Sequence, residues 1–233
     1  MTTCVISQPR FFPGLHYLHR MMVSDIFVIL DTVQYTPRHE ENRTKLKSPQ
    51  GLCWLTVPVK KADRTQSIYK TCIDNTQPWQ RKAVKTINHF YSKAPFYETY
   101  SSQILNCIES PIESLLKLNI ATWETAIDLL EIDCRFVYAS DLQVSSRGSE
   151  LLLDICKHLD ADIYLSCAFG RDYIQIEEFE RESIQVRIHN YNYPIYPQRY
   201  KGFLSYLSYI DMLFNVGLKR ENIMAEGETL AVR

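Results

Sequence analysis

Apolar residues along this chain follow two rhythms. Short unbroken runs fill residues 3–7 (TCVIS), 25–31 (IFVIL between two aspartates), 134–140 and 161–166, and cleaner alternation marks residues 184–189. Continuous runs bounded by turn-formers predict strands covered on both faces, and alternation predicts a strand with one face open. Helical spacing takes over at residues 15–23, where Leu15, Leu18, Met21 and Met22 share a face. It returns at 78–91, at 148–159, and at 111–132 through Ile112, Leu115, Leu118, Trp123, Ile127 and Leu130. A last helix at 206–216 ends in Gly217, a residue suited to the cap. Residues 54–60 alternate but meet Pro58, which places that strand near a sheet edge. Residues 35–48 are polar and charged and read as loop, and the last dozen residues are expected to fray.

Strand, loop, helix and strand within about thirty residues make a βαβ unit. The alternation that follows predicts an α/β fold. The expected architecture is a Rossmann-like, largely parallel sheet flanked by helices, with a helical insertion at about 78–132, in a single domain spanning 1–233. Lys and Arg number 26 against 27 Asp and Glu, so no basic surplus argues for nucleic acid or a membrane surface. Seven cysteines are scattered without a C-x-x-C pair, mostly among apolar neighbours, and predict reduced thiols. No spacing of His and Cys fits a zinc site. The first residues lack the basic and apolar regions of a secretory signal. No window approaches the roughly 18 apolar residues of a spanning helix. The expected location is the cytoplasm.

In a parallel sheet, ligands sit beyond the C-terminal strand ends where the strand order reverses. That rule selects four loops. The first, 8–14, brings Gln8 and Arg10 to a helix that carries His16 and, three residues on, His19. A helix N-terminus favours anions, so Arg10 with His16 can hold a phosphate or carboxylate; equally, both histidines can be plain surface positions. The second, 32–47, gathers Gln34, Arg38, His39, Asn42, Arg43, Lys45 and Lys47, diluted by Glu40 and Glu41. Arginine forks suit phosphate and carboxylate, yet charge-rich loops are commonly just solvated. The third, 141–148, offers Ser145 or Ser146 as a helix cap and Arg147 as a fixed charge. The fourth follows Ser166 and holds Gly170 for close backbone approach, then Asp172 and Tyr173. Cys167 is the one cysteine at such an edge and so the one candidate nucleophile, although no histidine adjoins it in sequence. Tyr191, Tyr193, Tyr196 and Tyr200, broken by prolines, either line a ring-binding pocket or pack on the core as a lid.

Taken in order, several segments resemble the WbqC-like family. They are I-S-Q-P-x-F-F-P at residues 6–13, S-D-I-F-V-I-L-D-T-V-Q-Y at 24–35, N-R-T-K-L-K at 42–47 and W-L-T-V-P-V at 54–59. The small-residue turn at 165–173, Y-P-Q at 196–198 and L-S-Y-I-D-M-L-F-N-x-G at 207–217 continue the match. It spans nearly the whole chain and is least distinctive in the helical middle. Cys167 and Ala168 stand where the family usually has a glycine and its neighbour, and Gly14 and His16 stand where many relatives carry Trp and Gly.

The resemblance implies a bacterial surface-polysaccharide (O-antigen) or other biosynthetic gene-cluster setting, and a glycine or aminoacyl transferase role toward an amino sugar. The expected activity is therefore acyl or aminoacyl transfer that forms an amide on an amino sugar or similar amine. His16 is the candidate base, with Asp31 and Asp172 orienting partners. Arg43, Lys45 and Arg147 would anchor an anion, and Gln34, Asn42 and Gln198 would read polar groups. Gln8, Arg10, Ser145, Ser166, Gly170, Tyr173 and Tyr196 complete the expected binding set. The expected partners are a small-molecule substrate and an activated acyl donor, borne on an acyl carrier protein or on tRNA. Two other readings stand beside this one. The P-G-L-H-Y-L-H segment resembles the H-x-G-H layout of Rossmann-like nucleotidyl-transferring enzymes, with altered spacing and with a nucleotide as the implied cofactor. A non-catalytic pathway binding protein would account for the lack of an evident triad. The enzyme readings require the loops to meet at one rim, with Arg43, Arg147 and Asp172 around a common hollow.

Overall fold

The computed structural model describes residues 1–61, 63, 65–224 and 227–231. The first βαβ unit is β1 (Thr3–Ser7), α1 (Leu15–Met22) and β2 (Ile26–Ile29). A hairpin follows, β3 (Arg43–Ser48) and β4 (Gly51–Thr56), and then four helices: α2 (Trp79–Tyr91), α3 (Tyr97–Glu109), α4 (Leu115–Ala121) and α5 (Glu124–Leu129). Next come β5 (Arg135–Tyr138), α6 (Gly148–His158), β6 (Ile163–Cys167), α7 (Ile176–Arg181) and β7 (Gln185–Tyr191). The chain ends with α8 (Tyr209–Val216), α9 (Arg220–Met224) and β8 (Gly227–Ala231).

Six strands form one sheet in the order β5-β2-β1-β6-β7-β8. The first five of these are parallel, and β8 lies antiparallel to β7 at the edge. With helices on both faces, this is a Rossmann-like α/β fold. Both faces are covered because neighbouring residues of each strand point opposite ways. Val5, Phe27, Ile29 and Leu165 join the core under α1, α2, α3, α4 and α8. Cys4, Ile6, Ile26, Val28, Tyr164 and Val186 join the core under α6 and α7. Two opposed cores explain why these strands read as unbroken apolar runs.

The strand order reverses between β1 and β6. There β1 pairs with β2 along Cys4↔Ile26 to Ser7↔Ile29 but with β6 only at Thr3↔Ile163 and Cys4↔Tyr164. The two central strands therefore part toward their C-terminal ends. That opening positions the site.

The strand expected at 54–60 runs instead over Gly51–Thr56, the last helix begins at 209 rather than 206, and α7 was not expected; three further differences have a clear physical reason. β3 was expected as loop because R-T-K-L-K-S lacks an apolar pattern. Its buried positions include Thr44 and Lys47, which are satisfied by hydrogen bonds rather than by apolar contact. The single helix expected at 111–132 breaks at Thr122 and Trp123, where the Tyr209 hydroxyl takes the Thr122 carbonyl (2.8 Å) and the Thr122 hydroxyl accepts from the Phe12 amide (3.0 Å). Of the last dozen residues, expected to fray, 227–231 form β8 along β7; 225, 226, 232 and 233 lie outside the described residues. All seven cysteines are free thiols. Among the described residues, no helix is long and apolar enough to cross a membrane.

Candidate functional site

At the opening between β1 and β6 lies a cavity of about 410 Å³, within the range of small-molecule sites. The first loop and α1 supply Arg10, His16 and Arg20, the hairpin region supplies Glu40 and Lys45, and β6 ends in it with Cys167 and Ala168. His189, Asn190 and Tyr191 of β7 and Tyr206 of the segment before α8 complete the wall.

The helical insertion holds the first loop in shape. Trp123 donates to the Arg10 carbonyl (2.8 Å), and Asn119 donates to the carbonyls of Pro9 (3.2 Å) and Glu41 (2.9 Å). Tyr17 donates to the Gln8 carbonyl at 2.9 Å. Two residues of the surrounding loops, Phe12 (φ 42°) and Tyr206 (φ 58°), hold left-handed backbone conformations. Strain of that kind persists only where the surroundings over-determine it.

Glu40 bridges Arg10 (2.6 Å) and Lys45 (3.4 Å). Arg10 also meets His16 Nε2 at 2.9 Å. A guanidinium can only donate, so His16 Nε2 is the acceptor, and the ring proton sits on Nδ1, which donates to the Tyr193 oxygen. His16 thus has both ring nitrogens engaged and orients Arg10. His19 Nδ1 and His189 Nε2 share a hydrogen bond of 2.8 Å. Arg20, 2% exposed, stacks against the Tyr17 ring at 5.3 Å, and its Nε has no hydrogen-bond partner.

All three imidazoles are held neutral. Burial, then the charges of Arg10, Arg20, His189 and Lys45, keep His16 well below the usual histidine range. Burial takes His19 down to about 4, and burial with Arg20 and His19 takes His189 to about 3. In the unfolded chain each titrates near 6.5. Between those limits the unfolded chain binds more protons than the folded one, so stability rises with pH across that window. The contribution is complete above about pH 6.5 and is lost as pH falls toward 4, by at most about 1.4 kcal/mol per pH unit for each imidazole. Urea midpoints should therefore drop from pH 7.5 to 5, and less steeply in a His189→Gln variant. Glu41 and Asp211, whose carboxyls burial holds above the usual range, act in the opposite sense. Equal slopes in the two proteins would refute the assignment.

Of the residues expected from sequence, Arg10, His16, Lys45, Cys167 and Tyr191 meet in this cavity. Arg43, Arg147 and Asp172 do not line it: the common hollow expected of those three, which the enzyme readings required, is not formed, and the cavity at this rim is built from other groups. Arg43 lies over the Trp54 ring at 3.9 Å, and Arg147 and Asp172 are exposed. Arg147 itself precedes α6 as its N-cap, with no side-chain cap; neither Ser145 nor Ser146 takes that place. Ser145 lines a separate shallow depression beside α6. Asp31, 1% exposed, accepts from the Ser140 amide (3.0 Å) and hydroxyl (2.8 Å) and ties β2 to the turn after β5. Asn42 donates to the Val57 carbonyl, Tyr196 to Asp211, and Gln198 to the Leu204 carbonyl, all as internal struts. Gln34 and Tyr173 are exposed, Gln8 is half-buried, and Ser166 and Gly170 pack against each other beneath the turn after β6.

Sequence reasoning missed Arg20, Glu40, His189 and Tyr206 as cavity groups. Arg20 had a signal, since it follows His16 by four positions and shares its helix face. His19 and His189, expected at the surface or on an open strand face, are both buried.

The architecture is a doubly wound α/β domain with a cavity at the strand-order reversal, lined with cations, neutral imidazoles and a thiol. The chain belongs to the WbqC-like protein family, whose model matches residues 8–223. It is also 31% identical over 220 residues to "Uncharacterized protein Rv1507c" of Mycobacterium tuberculosis (strain ATCC 25618 / H37Rv), a match covering 93% of this chain and 95% of that protein. No solved structure shows a significant match.

Proposed function

We propose that the protein is an acyl- or aminoacyl-transferase forming an amide on an amino sugar or similar small amine. The observation that carries this reading is the grouping of Glu40, His189, Cys167 and three cations around one cavity at the sheet's switch point. Amide formation needs an acceptor nitrogen and a donor carbonyl held together, a route for the nitrogen's proton, and positive charge near the developing oxyanion. The acceptor enters as the free amine, its ammonium proton left in solvent, and Glu40 holds Arg10 and Lys45 in place. Arg10, Arg20 and Lys45 suit anionic parts of either substrate. The new N–C bond forms as the donor's C–S or C–O bond breaks, and the nitrogen's proton leaves with the departing thiol or hydroxyl. His189 is a better carrier for that proton than His16, whose two ring nitrogens are already engaged. Its basicity, depressed partly by Arg20, rises when an anion neutralises that charge. An acyl carrier protein or an aminoacyl-tRNA would bring the donor, in the cytoplasm of a cell building a surface polysaccharide.

The test is incubation of an amino sugar with glycyl and short acyl groups borne on carrier protein, on tRNA and on nucleotide, with amide formation followed by mass. Turnover with one donor class, reduced at least about a hundredfold in His189→Gln, is expected. Cleavage of ATP or CTP in step with product would favour the nucleotidyl-transferring reading. The parallel strands β5-β2-β1-β6-β7 and the histidine in the opening turn of α1 keep that reading open. No product with any donor, with the amino sugar still bound, would leave the binding-protein reading.

A further inference from the structure

Arg20 poses a problem that the proposed reaction does not resolve. A guanidinium removed from water is strongly disfavoured unless an anion or several acceptors replace its hydration. Arg20 is 2% exposed and lies at the second turn of α1. Among the described residues it makes no ion pair with a carboxylate, its Nε is without a partner, its guanidinium lies 5.3 Å from the Tyr17 ring centre, and the charge of Arg10 adds to the burial that disfavours it. It forms part of the cavity wall. Burial also draws its pKa down from the usual arginine value, as expected for a charge waiting for a counter-ion.

The charges around it are unbalanced in the same direction. The cavity is lined by Arg10, Arg20 and Lys45 against the single carboxylate of Glu40. Glu40 is engaged by Arg10 and Lys45, so none of its charge serves Arg20. The three histidines beside them are neutral. Two positive charges are therefore in excess on the wall of one cavity. A monocarboxylate would leave one of them uncompensated; a phosphate monoester, close to doubly charged at neutral pH, matches both. Arginine is also the side chain whose planar fork fits phosphate oxygens in pairs.

We infer that the cavity is a phosphate site, with Arg20 as its anchor and Lys45 and Arg10 as its flanking cations, and that it takes the phosphoryl group of a small phosphorylated metabolite such as a hexosamine phosphate. The phosphate site stands whether or not the acyl-transfer reading holds; the hexosamine example rests on that reading. On phosphate entry Arg20 gains its missing acceptors, and His189 lies on the same wall. Cys167 lies at the same wall and reports occupancy.

Three proteins and two readouts test this. Wild type, Arg20→Met and Arg20→Lys are each alkylated with iodoacetamide, the Cys167 peptide is quantified by mass, and thermal unfolding is followed in parallel. The ligands are inorganic phosphate, glucosamine 6-phosphate, glucosamine and acetate. Millimolar phosphate and glucosamine 6-phosphate are expected to slow Cys167 alkylation at least about fivefold and to raise the wild-type Tm by about 3 °C or more. Glucosamine and acetate at equal ionic strength should do neither. Arg20→Met should abolish both responses, while its ligand-free Tm equals or exceeds that of wild type, because an apolar chain replaces an uncompensated buried charge. Arg20→Lys should keep a weakened response. Four results would overturn the inference: an unchanged phosphate response in Arg20→Met, protection by acetate equal to that by phosphate, no response to either phosphate, or a ligand-free Arg20→Met that is clearly less stable than wild type. The last would show that Arg20 is already compensated within the folded chain.

Discussion

Replacing Lys47 with methionine should destabilise the fold by about 2–4 kcal/mol and lower Tm by roughly 5–12 °C. Lys47 sits on β3 with only 1% exposure. Its ammonium donates to Gln198 Oε1 (3.1 Å), to the Tyr200 carbonyl (3.0 Å) and to the Gly202 carbonyl. Gln198 in turn accepts from the Leu204 amide and donates to its carbonyl. One side chain thus gathers the segment that crosses from β7 to α8. Methionine matches the lysine stem but takes the ammonium away from the Tyr200 and Gly202 carbonyls, while Gln198 Oε1 keeps the Leu204 amide, and each shielded acceptor left without a donor costs about 1–3 kcal/mol. Relief of a buried charge offsets part of that sum, which is why the expected loss is less than the total. The same segment delivers Tyr206 to the cavity wall. Ligand affinity should therefore fall even below the new melting transition, although Lys47 never touches the cavity. Thermal unfolding with a binding measurement well below Tm checks both parts; a Tm within about 2 °C of wild type would sink the claim.

Gly170→Ala should be as damaging, by a different route. A Cβ there would lie 2.0 Å from Ser166 Oγ and 2.7 Å from Ile174 Cδ1. Ser166 is 1% exposed, and its own Cβ would stand 3.0 Å from the added methyl, so turning the hydroxyl alone does not make room. The clash is therefore relieved by displacing the turn of residues 168–172, which begins at Cys167. Overpacking of this kind costs about 1–3 kcal/mol, and its larger effect is expected on ligand binding, because the end of β6 forms the cavity wall. A second substitution, Ser166→Gly, removes the obstructing atoms and should restore most of the lost binding. If the double variant binds no better than Gly170→Ala alone, the packing account is wrong.

Much of the scaffold was legible because packing against two cores imposes a visible pattern. Thr3–Ser7 was read residue for residue, and β2, α1, α2 and α6 within a residue or two of their ends. β3 escaped because Thr44 and Lys47 are buried through hydrogen bonds, which leave no trace in hydrophobic periodicity. The site was legible in part. Position at a strand end singled out Arg10, His16, Lys45 and Cys167, since the switch-point rule acts on topology alone. It could not tell that the third loop, with Ser145 and Arg147, stays away from the others, because that depends on where β5 falls in the strand order. Asp31, Asn42 and Gln198 carry groups fit for catalysis or recognition, yet these are consumed by Ser140, Val57 and Lys47. Polar residue type marks a need for a partner, and only three-dimensional neighbours decide whether that partner is a ligand.

The meeting of β1 with β6 has a consequence for how the chain is made. Thr3 and Cys4 wait for Ile163 and Tyr164, so a ribosome adding about 5–20 residues per second must run for roughly 10–30 s before that flank of β1 can close. During translation an apolar strand near the N-terminus carries one unzipped side in a crowded cell. Expression at low temperature, or with ample holdase capacity, should raise the yield of native protein more than any strengthening of the finished molecule.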